Sequence, residues 1–169
     1  VPAFRVLSPE RSLEIIQAWI NVSWPLSSAQ AASIAADLGW AADENNPGAY
    51  FSELSSANEA DCGFGIEGNF ANRIHFPLSL LADEKEKHLS WPAIANTVSR
   101  IEKTIILQHG KPKKSVSPEG IIIDEWILGS GASFHIGYDE LAVDVSVLSP
   151  EVTELINDPA GDPNPDKEW

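Results

Sequence analysis

The chain has 169 residues, with 25 Asp and Glu against 11 Lys and Arg, and its formal charge of -14 makes nucleic acid and anionic membrane poor partners, since phosphate surfaces are held by Lys and Arg. A hydrophobic fraction of 43% supplies the core of one domain and excludes disorder throughout. One cysteine, Cys62, and four scattered histidines give neither an internal disulfide nor zinc-ligand spacing, no apolar run reaches the ~18 residues of a spanning helix, and Val1-Pro2-Ala3-Phe4-Arg5 lacks the regions of a signal peptide, so a cytoplasmic setting is expected.

Charge is unevenly spread. Residues 1–36 are neutral, 37–84 carry -8, 85–114 carry +5 and 115–169 carry -11. Along the chain, Ser8-Pro9 followed by Leu13, Ile16, Trp19 and Ile20 predicts a helix over 9–22. Trp24-Pro25-Leu26 breaks it, and Ser27 or Ser28 caps a second, alanine-rich helix that ends at Gly39. Asp43-Glu44-Asn45-Asn46-Pro47-Gly48 is a turn signature before the strand-like Ala49–Leu54, which together predict a hairpin. Two further strands are expected at Cys62–Glu67 and Asn72–Leu81. Ser90-Trp91-Pro92 opens a long helix with Ile94, Val98, Ile101 and Ile105 on one face, ending at Gly110. Lys111–Ser115 reads as a basic loop. Residues 121–128, 133–136 and 141–147 read as three strands, and Ser149-Pro150-Glu151 starts a last helix to about Asn157.

Short turns between consecutive strands exclude the crossovers that parallel neighbours need. The expected fold is therefore α+β, a single domain over 1–157 with helices packed on a mostly antiparallel sheet, followed by an acidic, proline-rich tail over 158–169.

Gly63-Phe64-Gly65-Ile66-Glu67-Gly68 matches the letters of a dinucleotide fingerprint, but residues 69–76 are strand-like and give no helix to cap a phosphate, so the segment reads as a glycine-rich strand or hairpin. Ser133, His135 and Asp139 read as unable to meet as nucleophile, base and orienter, because alternating residues of one strand plus a turn do not converge. Asp124-Glu125 and Asp139-Glu140 offer carboxylates for acid and base work, yet adjacent strand residues face opposite ways. Cys62 reads as a buried structural thiol. Trp19 and Trp126 are expected in the core, whereas Trp24, Trp40 and Trp91 stand at element boundaries, where aromatics staple helix ends or anchor interfaces. No metal site and no cofactor is expected.

Two stretches carry a family resemblance: Trp24-Pro25-Leu26-Ser27 with Leu38-Gly39-Trp40, and Asp124-Glu125-Trp126-Ile127-Leu128-Gly129-Ser130-Gly131 with Val143-Asp144-Val145-Ser146-Val147. Together they resemble a group of small acidic actinobacterial immunity proteins, similar to the immunity factor for the tuberculosis necrotizing toxin. The resemblance implies a cytosolic antitoxin that plugs the active site of a NAD-glycohydrolase toxin. It spreads over core and turn patterns and transfers no functional residue. An acidic, cofactor-free domain suits a cognate toxin with a cationic cleft, and the candidate contact residues are Asp43, Glu44, Tyr50 and Glu53 on the first hairpin and Asp139 and Glu140 on the last hairpin turn. The competing readings are a small hydrolase using paired carboxylates and a general protein-binding scaffold.

Overall fold

The Ser8 hydroxyl accepts the Arg11 amide and Pro9 fills the first helical position, so helix α1 forms over Pro9–Ile20 and buries Ile15, Ile16, Trp19 and Ile20. A cis Trp24–Pro25 bond leads into the two-residue strand β1 (Leu26–Ser27). Ser27 then caps α2 (Ser28–Asp37) through a reciprocal pair of bonds with Gln30, and Gly39, at φ 84°, turns the chain out of the helix. The computed structural model describes residues 3–56 and 58–158; apart from Asp158, the tail expected from 158 onward, with Trp169, lies outside the described residues.

Strands β2 (Ala41–Ala42) and β3 (Ala49–Phe51) form the first expected hairpin. β3 is shorter than its sequence suggests because Asp61 takes both the Ser52 amide and the Ser52 hydroxyl, drawing the chain out of the ladder. The glycine-rich segment is β4 (Cys62–Glu67), paired with β5 (Phe70–Pro77), so the fingerprint glycines belong to a hairpin as expected. A short 3-10 turn at Glu84–Glu86, capped by Asp83, runs into α3 (Lys87–His109). This helix begins three residues before Ser90, and Pro92 sits inside it, where it lacks the N–H for a bond to the His88 carbonyl.

The expected basic loop is in part a strand, β6 (Lys113–Val116), which pairs Lys113 with Glu125 and Lys114 with Asp124 of β7 (Ile122–Ile127). Opposite charges directly across a ladder stabilise such a pairing, and periodicity does not register them. β8 (Ser133–Tyr138), β9 (Val143–Leu148) and α4 (Pro150–Asn157), capped by Ser149, complete the chain.

The nine strands form one sheet in the order β2-β3-β4-β5-β9-β8-β7-β6, with β1 on the start of β5, and each described pairing is antiparallel. With the four α-helices among the described residues this is a single α+β domain. Phe134, Ile136, Val143, Val145 and Val147 alternate onto one face, where the apolar stripes of α1 and α3 join them in the core. Trp19, Trp40, Tyr50, Phe64 and Phe76 form an aromatic cluster there, with centroid separations of 5.0 to 6.4 Å. Each fully buried side chain of this kind contributes about 1.5–3 kcal/mol. Cys62 is buried beside it, and burial pushes its thiol well above the usual range, which fits a structural role. No helix among the described residues is long and apolar enough to cross a membrane.

Candidate functional site

The register fixes which loops meet at each end of the sheet. Tyr138 pairs with Val143, and Pro77 pairs with Asp144, so the turn joining β8 to β9 stands beside the end of β5 and the chain entering β4. The start of α3 is fastened to this turn: the Ser90 hydroxyl donates to the Glu140 carbonyl at 2.6 Å, and the Lys87 ammonium lies 2.8 Å from the Glu140 carboxylate. Asp139 holds the turn itself by accepting the amides of Leu141 and Ala142.

A cleft opens on each side of the turn. The first, 420 Å³, has Trp91, Ile122 and Leu141 in its walls and four carboxylates, Glu84, Glu119, Asp139 and Glu140, around them. The second, 560 Å³, is bounded by residues 54–56 and 59–61 and by residues from Pro77 to Leu81, and carries Glu59, Asp61 and Asp144. No Lys or Arg is among the described residues lining either cleft. Trp91 is 38% exposed and Leu81 77% exposed, so apolar side chains project between the acids. Although Asp144 reaches solvent, the protein crowded around it, and then the charge of Asp139, raise its carboxyl above the ordinary range.

The expected contact residues do not form one patch. Asp139 and Glu140 line the first cleft. Glu53 stands at the same end of the sheet, next to Leu54 of the second cleft, but its carboxylate is held by Arg11 at 2.7 Å and faces Arg5 at 3.7 Å, tying the end of β3 to α1. Tyr50, 8% exposed, is part of the aromatic core. Asp43 and Glu44 are in the turn between β2 and β3, at the opposite end of the strands from Asp139. There Asp43 accepts from the Asn46 side chain and the Asn45 amide, bonds that lower its carboxyl.

On the sheet face opposite α3, His75, Ser146 and His135 occupy one cross-strand row. Burial lowers both imidazoles, while Asp61 raises His75 and Glu125 raises His135 in opposition. Contrary to the expectation from alternation, Ser133 and His135 do meet: Ser133 Oγ lies 3.0 Å from His135 Nε2, and His135 Nδ1 lies 3.6 Å from Glu125. Alternation is the reason, because residues two apart on a strand share a face; the third member is Glu125 from the adjacent strand, not Asp139. Ser133 is 1% exposed and its hydroxyl is also bonded to Thr153 of α4 at 2.9 Å, so the oxygen that would attack a substrate is covered. Among the described residues no group of three or more His, Cys, Asp or Glu side chains is placed to hold a metal ion.

The cleft walls eluded sequence reasoning because Glu84, Trp91, Glu119 and Asp144 come from four separate segments, joined only by strand register. Residues 10–149 match the family model of DUF6301, a family of unknown function. No curated protein and no solved structure matches the chain.

Proposed function

The chain belongs to DUF6301, and we propose that it is a protein-binding module, an immunity protein or antitoxin that occludes the active-site cleft of a cognate toxin in the cytoplasm. The observation that carries this reading is the pair of acid-lined clefts flanking the Asp139–Ala142 turn, with Trp91 and Leu81 projecting among the carboxylates. Exposed aromatic anchors within a polar rim are what an interface uses for affinity, and a rim of one sign steers a partner of the other. The partner this surface suits is a protein with a cationic cleft. A NAD-glycohydrolase toxin is the class the immunity-protein resemblance implies. Asp139 and Glu140 make direct contacts in this reading, Asp43 and Glu44 offer a separate acidic projection, Tyr50 supports β3 from within the core and Glu53 ties its end to α1.

Co-expression with the product of the adjacent coding sequence tests the proposal. Restored growth with a stable complex supports it, and neither complex nor protection contradicts it. Exchanging Glu119 for Lys, in the wall of the first cleft and outside the Lys87 ion pairs, should weaken protection while leaving the fold intact by circular dichroism.

A second reading has one observation in its favour: Asp61 and Asp144 line the same cleft, and the Asp144 carboxyl is raised, as in a general acid. A hydrolase of this kind would turn over a panel of chromogenic glycosides and esters, with activity lost in Asp144→Asn. A flat panel removes it.

A further inference from the structure

Beneath the edge of the sheet, away from both clefts, three charged side chains from three elements converge. Asp124 of β7 is completely buried and points to the α3 side of the sheet, where Glu102 shares the Lys114 ammonium with it. From the edge strand β6, Lys114 reaches in so that its Nζ stands 2.8 Å from Asp124 and 3.8 Å from Glu102, and it bonds the Tyr138 hydroxyl of β8 at 3.1 Å. The Asp124 contact is an ion pair outside hydrogen-bonding alignment. Both Asp124 oxygens and Glu102 Oε1 are buried without a hydrogen-bond donor.

A single ammonium balances a single carboxylate. Two carboxylates here would leave one negative charge in excess around the buried Asp124, with three buried acceptor oxygens lacking a donor. One proton between Glu102 and Asp124 removes the excess and supplies the missing donor. We propose that Glu102, Asp124 and Lys114 form a one-proton latch that fastens the edge strand β6 to α3 and loosens when the proton leaves.

Burial, then the hydrogen bond to Asp124 and its charge, push the Glu102 carboxyl up to about 7, against the opposing effect of Lys114. Burial opposes the Lys114 charge, but the ion pair with Asp124, the bond to Tyr138 and the charge of Glu102 hold its titration above the usual range, so the ammonium persists throughout. The groups facing Glu102 are thus Lys114 from β6, Asp124 from β7 and Tyr138 from β8. Helix α1 meets α3 through Glu10 with Arg100 and Gln17 with Gln108 instead.

The latch also has a place in the proposed function. The turn between β6 and β7 carries Glu119 and Gly120 into the first cleft, so loosening β6 frees one wall of it. This consequence rests on the binding proposal; the latch itself does not.

Linkage sets the sign of the pH dependence. The native Glu102 keeps its proton to higher pH than the unfolded chain does, so its contribution is fully present below about 4.5 and is lost as pH rises toward about 7. His75 and His135, lowered in the fold, act in the opposite direction, so the readout is the difference between wild type and Glu102→Gln.

Hydrogen exchange at those amides of Lys113–Val116 that bond into the β7 ladder, corrected for intrinsic rates, should lose about tenfold protection between pH 6 and pH 8.5 in the wild type and less than about twofold in Glu102→Gln. Carbon NMR of the side-chain carboxyls, which needs no variant to fold, should show one Glu titrating near neutrality. A Glu102 resonance titrating in the ordinary carboxylate range, or the same pH response of β6 in both proteins, overturns the proposal.

Discussion

Gly48 and Gly63 approach each other closely where the chain entering β3 meets β4. A Cβ on Gly63 would stand 2.0 Å from the Gly48 carbonyl oxygen, which is itself bonded to the Phe64 amide at 2.9 Å. That carbonyl is fixed by the hairpin on one side and the ladder on the other, so the clash cannot be relieved by a rotamer change. Gly63→Ala should therefore destabilise by at least about 3 kcal/mol in urea denaturation. Gly68, at φ 62° with open space around its Cβ position, should cost only about 1–2 kcal/mol as Gly68→Ala. Equal costs would show that backbone conformation, and not close approach, is what Gly63 supplies. The same residues explain why a dinucleotide-like pattern occurs without a dinucleotide fold: Gly63 serves strand contact, and Gly68 turns the hairpin.

At the scale of elements, what the sequence made legible was what short-range chemistry decides. Ser8, Ser27 and Ser149 are caps because each hydroxyl accepts an amide three residues on, and Pro9 and Pro150 come directly after two of them. The strands around Trp126, Phe134 and Val145 were legible from apolar alternation and the turns between them. β6 was not, since its residues are all exposed and its pairing depends on charges across the ladder. The early start of α3 escaped because Ser90-Trp91-Pro92 imitates a helix opening, while Asp83 and the 3-10 turn had already begun the structure. The candidate site was half legible: Asp139 and Glu140 stood out as turn acids, but the buried setting of Tyr50 and the Arg11 partner of Glu53 come from contacts distant in sequence. Ser149→Ala should destabilise by about 1 kcal/mol or somewhat more, since Ser149 is buried and the Val152 amide loses its acceptor. The half-buried cap should be milder, with Ser27→Ala costing about 0.5–1 kcal/mol by thermal denaturation. A larger loss at Ser27 would reverse the importance assigned to burial.

Across the whole molecule, charge and shape are separated. The helices α1 and α3 and one sheet face form the core, and the end of the sheet around the Asp139–Ala142 turn carries the acids and exposed anchors. In the proposed function this field captures a cationic partner from solution. Association should then be fast at low ionic strength and slow as salt screens the field beyond a Debye length of about 8 Å near physiological salt. Stopped-flow measurement should find the association rate falling at least about tenfold between 20 mM and 500 mM salt, with dissociation changing less. A salt-independent association rate would rule out steering by this field.

The most direct test locates the interface. Hydrogen exchange measured by mass spectrometry on the protein alone and in complex with the partner recovered by co-expression should show new protection at residues 54–56, 59–61, 77–91, 119–122 and 139–144, the segments that line the clefts. The turn at residues 43–48 should change less. Protection confined to that turn, to α2 or to the His75–Ser146–His135 face, with the cleft segments exchanging as freely as before, would contradict the proposal that the acid-lined end of the sheet is the binding surface.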